Sequence, residues 1–128
     1  MARILLVDDE PDMIEVWKLF LRRAGHEFMQ AHDGLEAIDM VQQFLPDLII
    51  LDLMMPNASG DTVLGLVRST PSLAHTRVLV VSAHHEAARI AQKFKANGFL
   101  SKPVHLEQFN KEVERLIAEA QQEAPQDS

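Results

Sequence analysis

Three unbroken apolar runs mark this chain: Ile4 to Val7, Leu48 to Leu51 and Val78 to Val81. A run without polar alternation is how a strand buried on both faces reads. Two weaker strands are predicted around Glu27 to Ala31 and at Phe99 to Ser101. Each strand is followed by apolar positions at helical spacing. The first helix carries Met13, Trp17, Phe20, Leu21 and Ala24 inward. The second carries Ala37, Ile38, Val41 and Phe44, and the third Val63, Leu64 and Val67. The fourth, from His85 to Ala96, carries Ile90, Ala91 and Phe94. The last carries Leu106, Phe109, Val113, Leu116 and Ile117.

The punctuation agrees. Pro11 suits a first helical turn, where its missing N–H is not needed. Gly25 supplies a helix stop. Asp33-Gly34, Pro46, Asn57 to Gly60, Thr70-Pro71-Ser72 and Asn97-Gly98 read as turns or breaks. The pattern is (βα)5. Strict alternation implies an α/β fold: a doubly wound, five-stranded parallel sheet with helices on both faces and right-handed crossovers. A parallel barrel would need eight such units. No internal repeat or linker divides the chain.

Composition changes this picture little. A length of 128 residues fits one domain. Residues 1–120 are read as that domain and 121–128 as a polar, disordered tail holding Pro125. The net charge of -7 argues against direct nucleic-acid binding, because a phosphate backbone is repelled. There is no cysteine, which removes disulfides, thiol chemistry and Cys-based zinc sites. No apolar stretch reaches the length of a membrane span, and the expected location is the cytoplasm.

The chemistry lies at the strand ends. In a parallel sheet all carboxyl ends share one edge, where such folds bind ligands. Strand one delivers Asp8 and Asp9, strand three Asp52, strand four Ser82 and strand five Lys102. Strand two brings nothing obvious. In the order 2-1-3-4-5, strands one and three are neighbours, so three carboxylates cluster. Like charges that close raise one another's pKa and call for a counter-charge. A divalent metal and Lys102 supply it. Oxygen ligands suit Mg2+ (or Mn2+) rather than zinc or copper. Metal, ammonium and hydroxyl together form a phosphoryl clamp, and Asp52 is the candidate nucleophile for an aspartyl phosphate. An acid pair, a serine or a lysine alone is more often a cap or a solvated surface group. Four matched strand ends rarely arise from independent structural needs.

The motifs V-D-D-E-P at 7–11, L-D-L-M-M-P at 51–56 with Gly60, V-S-A at 81–83 and F-L-S-K-P at 99–103 resemble the receiver domain of bacterial response regulators, of the chemotaxis-regulator type. The resemblance covers residues 3 to 120. It implies a CheY-like, flavodoxin-like fold and a phosphorylation-activated switch of a two-component system, not an enzyme acting on other molecules. Asp52 would take a phosphoryl group from the phosphohistidine of a sensor histidine kinase or phosphotransfer protein. Asp8, Asp9, Asp52 and the Met54 carbonyl would hold Mg2+. Lys102 would pair with Asp52 and then with the phosphoryl group. Ser82 and Phe99 would form the switch, remodelling the face of helix four, strand five and helix five. The Lys102–Pro103 bond is expected to be cis. Ser82 and Phe99 stand where threonine and tyrosine are frequent. Met54 and His84 lie at positions that tune phosphoryl lifetime. Output would pass to a downstream protein target or to an output domain on a longer chain.

Two alternatives share the sheet. A flavodoxin-like small-ligand binder needs Ser, Thr and Gly donors in its first loop, where Asp8, Asp9 and Glu10 stand. An Asp-nucleophile phosphatase resembles D-x-D, but Met54 occupies the position of the second acid.

Overall fold

The computed structural model describes residues 2–53, 60–83 and 86–123. Its elements are β1 (Arg3–Val7), α1 (Pro11–Leu21), β2 (Glu27–Ala31), α2 (Gly34–Phe44), β3 (Leu48–Leu51), α3 (Gly60–Ser69), β4 (Arg77–Ser82), α4 (Ala87–Lys93), β5 (Gly98–Ser101) and α5 (Leu106–Glu123). All strand pairs are parallel, and the order is β2-β1-β3-β4-β5. This is the doubly wound α/β fold that the alternating pattern implies.

The unbroken runs are unbroken because both sides of the sheet are covered. Leu5, Val7, Ile49, Leu51, Val78 and Val80 pack with α2, α3 and α4. Ile4, Leu6, Leu48, Ile50, Leu79, Val81 and Leu100 pack with α1 and α5. Every residue of β3 is fully buried. Among the described residues no helix is long and apolar enough to cross a membrane.

Several expected faces are corrected. On α1 the buried stripe is Ile14, Trp17 and Leu21, with Met13 and Phe20 partly covered. Ala24 is exposed, because Arg22–Ala24 tightens into a 3-10 turn that rotates it off the stripe. Gly25 then takes the left-handed conformation (φ 70°). Leu106 opens α5 and is 48% exposed, since the first turn precedes the contact with the sheet. The break at 70–72 is a 3-10 turn, Pro71–Leu73.

The fourth helix is shorter than expected. Lys95 turns left-handed (φ 62°), the Ala96 N–H reaches back to Ala91 O, and the Asn97 N–H bonds Val78 O on β4. The chain is thereby drawn onto the sheet before another helical turn can form. The last helix is longer, reaching Glu123 rather than stopping near Gln121. Arg77, at the start of β4, holds its final turns through Glu119 (3.3 Å) and Glu123 (2.6 Å). The tail from 124 to 128 lies outside the described residues.

Candidate phosphoryl-acceptor site

The sheet sets the strand ends in register before any side chain is considered. The Asp52 N–H donates to Val7 O (3.0 Å) and the Asp8 N–H to Ala31 O (3.2 Å). These bonds carry the ladder one residue past β1 and β3. Both carboxylates therefore leave the sheet at one edge. The Lys102 N–H donates to Ser82 O (3.1 Å), which fixes the residue after β5 against the end of β4. The Lys102–Pro103 peptide is cis, as the resemblance implied.

Three of the expected residues meet directly. Lys102 Nζ lies 3.0 Å from Asp8 Oδ2 and 3.1 Å from Asp52 Oδ2. Asp8 and Asp52 are buried, and the lysine side chain is only 12% exposed. A buried charge needs a partner and hydrogen bonds, and here one ammonium serves two carboxylates. Burial works against the Lys102 ammonium. The hydrogen bonds and attraction of Asp8 and Asp52 outweigh it and lift the lysine above its ordinary pKa. Burial pushes the Asp8 carboxyl up, and the Asp52 charge adds to this. The Glu10 N–H and Lys102 offset only part of it. The two shifts differ in origin: burial leads for Asp8, whereas for Lys102 the paired carboxylates together outweigh it.

Asp9 is exposed beside this pair. Carboxylate oxygens of Asp8, Asp9 and Glu10 all lie within 4.8 Å of one another. Asp8 Oδ1 also accepts the Glu10 N–H at 2.9 Å, which folds the acidic loop back on itself. An all-oxygen donor set of this kind suits a hard divalent cation. Asp52 joins the group through Lys102. Ser82 ends β4 and is 1% exposed. Phe99, on β5, is partly buried against the core beneath α2, α3 and α4. Met54 and His84 lie outside the described residues.

Three features were not read from the sequence. Lys102 pairs with Asp8 as closely as with Asp52. Glu10 stands with the two aspartates, although the D-D-E run placed it in view. Gly60, which the sequence marks as a loop and motif residue without a contact, donates its N–H to Leu53 O at 3.1 Å. A Cβ there would meet Leu53 Cα at 2.6 Å and Asp52 O at 2.7 Å, so the start of α3 closes against the back of the site.

A family model described as the response regulator receiver domain matches residues 4–114. Protein PilH of Pseudomonas aeruginosa is 30% identical over 122 residues, covering 92% of this chain and 99% of that protein. The DNA-binding dual master transcriptional regulator RpaA of Synechocystis sp. is 34% identical over 119 residues. They cover 91% of this chain, which spans only 49% of that regulator's length. Among solved structures, the chemotaxis response regulator CheY4 of Vibrio cholerae superposes with a TM-score of 0.83 at 30% identity, covering 91% of this chain and 98% of that one. Sheet order, site geometry and the match over most of the chain agree: this chain belongs to the response regulator receiver domain family of two-component systems.

Proposed function

We propose that the chain is a phosphorylation-activated switch in which Asp52 accepts the phosphoryl group, with Mg2+ (or Mn2+) held at the Asp8–Asp9–Glu10 edge. The observation that carries this reading is Lys102 bridging Asp8 and Asp52 at 3.0 and 3.1 Å in a buried setting. The bridge holds the Asp52 carboxylate in place beside the acidic loop. A carboxylate so held is a nucleophile for phosphorus. In the transfer, an Asp52 oxygen forms the new P–O bond. The P–N bond of a donor phosphohistidine breaks, and the imidazole nitrogen keeps the electron pair and takes up a proton. Lys102 exchanges a carboxylate contact for a phosphoryl oxygen, and Ser82 donates its hydroxyl to another. A bound divalent cation would supply neutralisation of the phosphoryl oxygens. Asp8 and Asp9 would hold it directly, with Asp52 and the Met54 carbonyl as further oxygen ligands and Glu10 near enough to bind through water.

The donor is a sensor histidine kinase or phosphotransfer protein. Phosphorylation shifts a two-state packing equilibrium involving Ser82 and Phe99, read by a protein target or an output domain through the α4–β5–α5 face. The chain transfers phosphoryl groups only to and from itself. The test is labelling with a small acyl-phosphate donor and Mg2+. The parent should gain an acid-labile, hydroxylamine-sensitive phosphoryl group, and Asp52→Asn should gain none. Equal labelling of that variant would refute Asp52 as acceptor.

A further inference from the structure

The Lys102 ammonium has a third contact besides its two carboxylates. It lies 5.9 Å from the centroid of the Trp17 ring, within cation–π range. Trp17 sits on the buried stripe of α1, is 1% exposed, and stacks on Phe109 of α5 with centroids 6.4 Å apart. Phe20 packs edge-on against the same Phe109 at 5.6 Å. The indole thus stacks on Phe109, which Phe20 in turn packs against.

We infer that Trp17 is a positioning residue: its ring face seats the Lys102 ammonium against Asp8 and Asp52. Lysine is a flexible four-carbon stem ending in a point charge, and two carboxylate contacts on one atom leave the stem free to pivot. A negative ring face opposes that motion without accepting a proton or competing for the phosphoryl group. A second observation points the same way. Trp17 Nε1 is buried and has no hydrogen-bond partner among the described residues. A phenylalanine or leucine would fill an apolar slot without burying that unpaired donor. The indole is therefore an expensive filler, whereas tryptophan offers the strongest cation–π face of the aromatic residues.

This role rests on the phosphoacceptor reading only for its kinetic consequence, so two readouts are needed. The variants are Trp17→Phe, which keeps a ring, and Trp17→Leu, which does not. Urea denaturation sets conditions in which both are folded. The first readout is the proton shift of the Lys102 ε-methylene in the unphosphorylated protein, where a ring beneath the ammonium moves the signal upfield. The second is the rate of Asp52 labelling by a small acyl-phosphate donor with Mg2+. Trp17→Leu should lose the upfield shift and label about two- to thirty-fold more slowly, and Trp17→Phe should recover most of both. An unshifted Lys102 signal in the parent overturns the inference. So does parental labelling by folded Trp17→Leu, or a Trp17→Phe as slow as Trp17→Leu. If the parent itself does not label, the phosphoacceptor reading fails, and the Lys102 shift alone decides whether the ring seats the ammonium.

Discussion

Gly60 and Leu53 approach so closely that no side chain fits between them: a Cβ on Gly60 would stand 2.6 Å from Leu53 Cα. The obstacle is backbone, which cannot rotate aside as a side-chain tip would. Gly60→Ala must push α3 away from the residue that follows Asp52. Overpacking of this kind costs about 1–3 kcal/mol. Urea unfolding of Gly60→Ala should show a lower midpoint with an unchanged slope. An unaltered midpoint would mean that the loop yields freely.

Asp8 makes stability and metal binding oppose each other. Its folded pKa is raised from 3.8, chiefly by burial. A raised carboxyl pKa means the folded state binds the proton more tightly than the unfolded chain. The contribution is then most favourable below the unfolded value and is lost as pH rises through the folded one. At neutral pH without metal, Asp8→Asn should therefore raise the urea midpoint. Mg2+ should stabilise the parent by about 1.4 kcal/mol at ten times its Kd, and stabilise Asp8→Asn far less. A parent indifferent to Mg2+ and EDTA would argue against a metal at the acidic edge.

The far end of α5 carries a pH-sensitive clasp. Glu123 has its pKa lowered from 4.5, first by its hydrogen bond to Arg77 and then by that residue's charge. A depressed carboxyl pKa gives a contribution present above about 4.5 and lost as pH falls through the folded value. Amide exchange in the last turn of α5 should quicken over that window. Arg77→Met, which keeps an apolar stem, should quicken it at neutral pH too. The global midpoint should move little, because the partner carboxylates are largely exposed. Pronounced pH dependence persisting in Arg77→Met would assign the clasp to other groups.

The legible parts of this fold were those where one local cause dominates. Leu48 to Leu51 is buried on both faces and cannot hide it in the sequence. Strand ends then place Asp8, Asp52, Ser82 and Lys102 at one edge by topology alone. Contacts set by three-dimensional approach were not legible. Nothing in the spacing of Trp17 and Lys102, or of Gly60 and Leu53, encodes their proximity. Helix ends are not legible where a long-range bond decides them: Asn97 bonds to β4 and shortens α4, while Arg77 extends α5. The exposure of Ala24 has the same character, since one 3-10 turn rotates it away from a stripe the spacing alone would continue.

The acceptor can be located directly by chemical trapping. After labelling with a small acyl-phosphate donor and Mg2+, borohydride reduces an aspartyl phosphate to homoserine, and peptide mass spectrometry places it. Homoserine at position 52 and at no other acid is the expected result. Homoserine at position 8 or 9, or a phosphoryl group that resists borohydride, would contradict Asp52 as the phosphoryl acceptor.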